Sequence, residues 1–332
     1  MGDSVEQPPA VRSSANSISA ELAGEILAGS ELGNLPEDSA LLLDKPAALL
    51  SGGLIGVDTL FGEAAAAAGH LVVHWVAPST RVSKRAQELD GGGSLCRLGP
   101  EALGHPKVLA ALDRCAKIRC GAASFEELCS KSSAYRERAE NLQRCFFQVA
   151  RASAVYVVAH RPAVADDAGL PRMDLTGDLG WAAQMYIDRF EPFGDENNSL
   201  LRLFLFDDAA AGSPEHLNDV TTARRWSFWQ APSSRNGLSE GCWTRFGVPE
   251  PVLHSTAASA WKAGAAPPAP FGFYAGLGAS RMDWSCTRHD EALAQVYAAR
   301  PEDRSLRKRK GVGKGKGTAG TGAGDALPDM EV

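Results

Sequence analysis

No run in this chain approaches the ~20 consecutive apolar residues of a membrane-spanning helix, so a helical membrane protein is not expected. No Cys-x-x-Cys occurs among its seven cysteines, at positions 96, 115, 120, 129, 145, 242 and 286. An odd count without paired spacing argues for reduced, partly buried thiols and against a disulfide framework or a zinc site. No Gly-Lys-Ser/Thr is present, which excludes a Walker A loop. The opening "MGDSVEQPPAVRSSANS" has no apolar core and one Arg, so it reads as neither a signal nor a transit peptide. Gly2 is present, but Glu6 stands where a myristoylation site has Ser or Thr. The expected location is cytoplasmic, without a membrane partner, and no cofactor or metal is called for.

What is present suits a sizeable core. The chain has 332 residues, 44% of them hydrophobic, with 34 glycines and 19 prolines to supply loops. The net charge of −6 is unevenly spread. Residues 304–316, "RSLRKRKGVGKGK", carry seven Lys/Arg and no acid, which leaves 27 basic against 40 acidic residues elsewhere. An acidic body is poorly suited to wrapping nucleic acid. The basic segment has two readings: a nucleic-acid-contacting or nuclear-import element, or a solubilising end without a partner.

Along the chain, residues 1–38 read as loose, apart from a short amphipathic helix in "SISAELAGEILAGSEL" with Ile18, Leu22, Ile26 and Leu27 on one side. "AALLSGG" reads as a buried strand and its turn, followed by a helix over Thr59–Ala68 with Asp58 as N-cap and Gly69 as terminator. "HLVVHWV" is the second strand, paired parallel to the first. "GPEALGHPKVLAALDRCAKI" and "SSAYRERAENLQRCFFQVARA" read as helices, the second with Leu142, Phe146 and Val149 on its buried side. "SAVYVVAH" is a third strand, "LGWAAQMYIDRF" a helix, "LLRLFLFDD" a fourth strand and "RRWSFWQ" a half-exposed edge strand. This alternation predicts an α/β, Rossmann-like, doubly wound and mostly parallel sheet. One domain over 39–290 is expected, followed over 291–332 by a short helix and a Lys/Gly-rich disordered tail.

Two glycine turns each lead into a helix: Ser51-Gly52-Gly53 up to Asp58, and Thr176-Gly177-Asp178-Leu179-Gly180, leading into Trp181–Arg189. Glycine lets a ligand approach the main chain, and a helix start favours an anion. Two such turns at one sheet edge could hold one phosphate-bearing ligand between them. Neither turn is a G-x-G-x-x-G, and an ordinary strand–helix turn is the bland alternative.

Several segments in order resemble the SLOG superfamily of Rossmann-like proteins. "SGGLIGVDTLFGEAA…GH" is similar to its "SGGA-x-GAD-x-x-x-G" opening. "NLQRCFFQVARASAVYVVAHR", "GDLGWAAQMYID", "LFLFDD", "RWSFWQ", "PVL" and "YAGLGASR" look like successive motifs of an uncharacterised branch found in phage and bacterial genomes. The resemblance covers roughly residues 45–285 and implies a fold and a nucleotide-like small molecule as ligand. Relatives in that superfamily often form homodimers. Some members are phosphoribohydrolases of the Lonely-Guy type, some are sensors, and the DNA-processing protein A branch binds single-stranded DNA.

The phosphoribohydrolases carry "PGG-x-GT-x-x-E" with a catalytic glutamate. Laid on "TGDLGWAAQ", that pattern puts Asp178 at the second glycine, Trp181 at the threonine and Gln184 at the glutamate. Gln184 cannot act as a carboxylate base, so no catalytic residue is assigned. The resemblance implies ligand contacts at Ser51, Gly52, Gly53, Asp58, Arg144, Gly177, Asp178, Gly180, Trp181, Gln184, Gly276, Gly278 and Arg281. Cys145 replaces an Asn of the branch.

Each candidate has a plainer reading. Asp58 could touch a ribose hydroxyl or simply cap a helix. Arg144 and Arg281 could pair with a phosphate bidentately, or lie exposed or salt-bridged. His160 and Arg161 follow the third strand, while His70 and His74 are four apart but in a strand rather than a helix, which does not suit a zincin-like pair. Trp226 and Phe228 share one strand face and Trp229 the other, so a base could stack there or the strand could be packed on both sides. Asp207 and Asp208 could bind a metal or serve as acid and base, or be solvated; Glu63 fits a solvated helix face. Three functions follow: binding or sensing of a nucleotide-derived phosphate ligand, hydrolysis of N-glycosidic or phosphoester bonds in such compounds, and nucleic-acid association through residues 304–316.

Overall fold

The computed structural model describes residues 23–28, 47–89, 95–159, 175, 177–190, 201–207, 226–230, 241–246, 266–278 and 288–298. Met1–Tyr297 form one compact unit.

The chain is α/β. Among the described residues, eight strands build one sheet: β1 (Ala48–Ser51), β2 (Leu71–Val76), β3 (Leu95–Arg97), β4 (Ala154–Ala159), β5 (Leu203–Asp207), β6 (Trp226–Gln230), β7 (Cys242–Arg245) and β8 (Phe273–Gly278). Their order is β3-β2-β1-β8-β4-β5-β6-β7. The first six in that order are mutually parallel, and β6 and β7 each pair antiparallel. The helices used below are α1 (Val57–Ala67), α2 (Lys84–Leu89), α3 (Pro100–Leu103), α4 (Pro106–Cys120), α5 (Phe125–Lys131), α6 (Ser133–Glu137), α7 (Ala139–Val149), α8 (Gly177–Asp188) and α9 (Arg288–Tyr297).

Central parallel strands are covered on both faces, so their sequences are apolar throughout. All six residues of β4, "AVYVVA", are buried. Alternation then divides the side chains between two cores. Val155, Val157, Leu203, Leu205, Ala275 and Leu277 face the side covered by α4, α7 and α8. Tyr156, Val158, Phe204, Phe206 and Tyr274 face the side covered by α1 and α9. Strand β8 is the last strand in sequence, yet it lies between β1 and β4, at the centre of the sheet. Its glycines allow α1 to lie close against it: a Cβ on Gly276 would fall 2.6 Å from Phe61, and one on Gly278 would fall 2.1 Å from Val57.

Several expectations are corrected. Helix α1 starts at Val57 with Gly56, φ +119, as N-cap, and no side chain caps it. Asp58 is therefore the second helical residue, with its side chain turned inward. The long helix predicted over 132–152 is divided at Arg138 into α6 and α7, and the core takes Phe147 and leaves Phe146 partly buried. Strand β6 is not an edge: β7 covers it, and Trp226, Phe228 and Trp229 are all buried. Trp226 and Phe228 do share a face opposite Trp229. The rings of Trp226 and Phe228 pack on Tyr156, Phe206 and Phe246, so no base can stack on them. The boundary drawn at 290 cuts α9, whose Ala292, Leu293 and Val296 belong to the second core and whose Tyr297 hydroxyl accepts from that of Tyr274 at 3.1 Å. Part of the early amphipathic stretch is helical at 23–28, with Ile26 in the first core and Glu25 paired to Arg151.

Candidate functional site

The carboxyl ends of β1, β8 and β4 stand side by side, where open α/β sheets gather ligands. Ser51 ends β1 there, and Ser51, Gly52 and Gly53 are all buried. Gly53 has φ +61 and rests on the His74 side chain, 3.1 Å from its own Cβ position. The first turn is filled from two directions. A Cβ on Gly52 would lie 1.7 Å from Arg144 Nη1 and 2.5 Å from Asp58 Oδ2. Glycine is required because a guanidinium and a carboxylate converge on that α-carbon.

Asp58 fastens the turn to the sheet. Its Oδ1 accepts from the Gly278 amide at 2.9 Å, and the amides of Gly52 and Leu54 also point to the carboxylate. Ser51 Oγ donates to the Asp58 carbonyl at 3.2 Å. Burial pushes the Asp58 carboxyl from its ordinary 3.8 up to about 6, against the opposing pull of Arg144 and those amides. The amide hydrogens expected to cradle a phosphate at this turn are thus directed at the chain's own carboxylate.

Arg144, on α7, is 1% exposed. Its Nε and Nη1 are buried and have no hydrogen-bond partner, and among the described residues no carboxylate lies within salt-bridge distance, although the Asp58 charge is felt. A buried guanidinium without acceptors is costly, because its lost hydration is not replaced.

The second turn opens α8. Gly177 has φ +62, and its Cβ position is 3.0 Å from Arg138 Nη2. The Asp178 carboxylate forms an ion pair with that same nitrogen. Gly180 packs against backbone: its Cβ position is 2.0 Å from the Leu175 carbonyl oxygen and 2.3 Å from Arg119 Nη2. Arg119 Nη2 donates to that carbonyl at 2.7 Å. Beside the turn is a cavity of about 130 Å³ lined by Arg119, Cys120, Tyr135, Arg138, Leu142, Gly177 and Trp181. The Tyr135 hydroxyl and Cys120 Sγ are 3.5 Å apart, a contact that with burial raises the Tyr135 pKa.

Helix α7 joins the two turns. Cys145, next to Arg144, donates from Sγ to the Asn141 carbonyl at 3.2 Å and toward the Asp178 carbonyl at 3.8 Å. Burial pushes its thiol up to about 12, and the charges of Arg144, Asp178, Asp58 and Arg138 all reach it. One buried thiol therefore lies between the Asp58–Arg144 cluster and the Asp178–Arg138 pair.

The remaining sequence candidates are elsewhere or otherwise engaged. Gln184 is buried, and its Nε2 donates to Asp188 Oδ1 at 2.7 Å, one helical turn on. Trp181 is 3% exposed and meets Phe125 edge-on and Tyr135 at a tilt while lining the cavity. Gly276 and Gly278 serve the packing of α1, and Gly278 also serves Asp58. Glu63 pairs with Arg85 at 2.8 Å. His70 Nδ1 meets the Tyr274 hydroxyl at 2.8 Å, and His74 is buried under the first turn. His160, Arg161, Asp208, Arg281 and residues 304–316 lie outside the described residues, as does the Asp207 side chain. Among the described residues no group of three or more His, Cys, Asp or Glu is placed to hold a metal, and no helix is long and apolar enough to cross a membrane.

Sequence reasoning missed Arg138, Arg119, Tyr135 and Cys120. Arg138 had no readable signal, since the sequence reads 132–152 as one helix and the division at Arg138 is seen only in the structure. The others come together only through the packing of α4, α6 and α8. Compared with protein-family models, curated proteins and solved structures, the chain matches none. The reading of the site therefore stands on its own residues.

Proposed function

We propose that this chain binds a nucleotide-derived, phosphate-bearing ligand at the carboxyl edge of its sheet, as a binding or sensing module. The likeness of its motifs to SLOG proteins supports that reading. The observation that carries it is Arg144, a buried guanidinium with two N–H-bearing nitrogens lacking acceptors, seated beside a glycine turn at the centre of the sheet. Such a group recovers its lost hydrogen bonds when an anion reaches it. Arg138, at the other turn contacted by the same helix, offers a second guanidinium to the same class of ligand.

Hydrolysis is less well supported. Asp58 spends its carboxylate on backbone amides, Gln184 lies in a buried hydrogen bond to Asp188, and Asp178 is paired to Arg138. No described carboxylate is placed as a base beside the cavity.

The test is calorimetric titration of the full chain with nucleoside mono- and diphosphates and ADP-ribose derivatives. Binding is expected to at least one of them. Arg144→Gln should weaken it by about tenfold or more, the loss of a charge-assisted hydrogen bond, with circular dichroism showing an unchanged fold. No heat from any member of the panel, or full affinity in Arg144→Gln, would refute the proposal.

A further inference from the structure

The cavity beside Gly177 measures about 130 Å³, well under the ~300–1,000 Å³ of pockets that enclose a drug-sized ligand. It suits one compact group, such as a phosphate, with the rest of a nucleotide left outside. Arg138 lines it with its side chain about half exposed, and Arg138 Nη2 stands over Gly177. That nitrogen is held by Asp178 Oδ1. Asp178 does not line the cavity, so its carboxylate draws the guanidinium aside without filling the space.

The pair is of the kind an incoming anion can break. Exposed ion pairs are weak because water screens them and two long side chains must be held still. A phosphate offers several strong acceptor oxygens and binds a guanidinium through two parallel hydrogen bonds. Asp178 is also anchored through its backbone, which receives the Cys145 thiol and lies in α8, so its side chain can swing away without disturbing the turn.

We infer that Asp178 is an internal competitor: it occupies Arg138, and a phosphate group entering the cavity under Gly177 takes that guanidinium from it. The inference rests on the phosphate-binding reading and adds to it a second anion place beside the one at Arg144, which does not line this cavity, and a residue that sets its affinity. Asp178 is a positioning residue, acting on the ligand through Arg138.

The experiment titrates inorganic phosphate and a nucleoside 5′-monophosphate into the full chain and into Asp178→Asn, Arg138→Gln, the double variant and Arg144→Gln, with circular dichroism to confirm folding. Asp178→Asn keeps the side-chain shape and should tighten both probes by about fivefold, the scale of an exposed ion pair. Arg138→Gln should weaken both, and adding Asp178→Asn to Arg138→Gln should restore nothing. If Asp178→Asn binds no tighter while Arg144→Gln loses affinity, the competitor role fails and the phosphate-binding reading survives. If the natural chain binds neither probe but Asp178→Asn does, the competitor role holds and the natural chain is not itself a phosphate binder. If no variant binds either probe, both ideas fall.

Discussion

The two glycine turns use the same parts and arrive at opposite states. Each has a glycine under a guanidinium and an aspartate at the start of a helix. At the first turn the aspartate is sealed in and bound to three backbone amides, while Arg144 Nε and Nη1 are left without acceptors. At the second, Arg138 is about half exposed, Asp178 is partly exposed, and the two pair directly. Burial makes the difference. A buried carboxylate is held by fixed dipoles that cannot leave, so it becomes part of the frame. An exposed one trades partners at small cost. The same residue types therefore give a structural clip in one place and a replaceable contact in the other.

The largest effect should come from steric substitution, and it should follow whether the new methyl meets backbone or side chain, since Gly52 and Gly180 are both buried. Gly180→Ala would drive a Cβ to 2.0 Å from the Leu175 carbonyl oxygen, a backbone atom that cannot rotate away. Gly52→Ala meets only side-chain atoms, Arg144 Nη1 at 1.7 Å and Asp58 Oδ2 at 2.5 Å. We expect Gly180→Ala to cost about 3 kcal/mol or more and Gly52→Ala about 1–3 kcal/mol, both read from urea unfolding midpoints. The reverse order would mean that the Arg144–Asp58 cluster yields less readily than the backbone at Leu175.

The next effect is the acid dependence of the first turn. The Asp58 carboxyl is raised from 3.8 to about 6 in the folded chain, so the folded state holds this proton more tightly than the unfolded one. Its stabilising contribution is complete below about pH 4, falls as pH climbs toward 6, and is gone above that. The window corresponds to on the order of 3 kcal/mol. Asp58→Asn has no such proton, so its stability should decline less than that of the natural chain between pH 4 and pH 7. Parallel urea midpoints for the two proteins across that range would show that Asp58 titrates normally.

The alternation of apolar strands with helices made the α/β class legible, because central parallel strands must be apolar on both faces, as "AVYVVA" and "LFLF" are. The two glycine turns were legible for the same local reason: glycine before a helix marks a close approach. What approached was not. Glycine alone does not distinguish a ligand from a guanidinium of the same chain, and Arg144 comes from a helix about 90 residues downstream of Gly52. The central place of β8 was hidden because "FYAGLG" carries two glycines and lacks the β-branched character of a core strand. Those glycines are there to let α1 in. The aromatic strand "WSFWQ" was misread as an edge because alternation of Trp, Ser, Phe suggests one wet face, and the short β7 that covers it has no long apolar run of its own. The Arg138–Asp178 pair bridges 40 residues and depends on how α7 meets α8, a packing that no local pattern encodes.

The smallest effect sharpens the contrast most. Asp178 lies in the first turn of α8, where a negative charge also meets the positive end of the helix dipole. Replacing it with Asn removes an exposed ion pair and that dipole contact together, each worth well under about 1 kcal/mol in screened surroundings. Asp178→Asn should therefore lower stability by less than about 1 kcal/mol at low salt, and by still less at 1 M salt, where screening has already removed most of both contributions. A loss as large as that of a buried network, persisting at high salt, would mean that Asp178 is as much a part of the frame as Asp58. The guanidinium beside the cavity would then not be available for exchange. A small, salt-sensitive loss leaves Arg138 held only loosely, which is the condition for a phosphate to claim it.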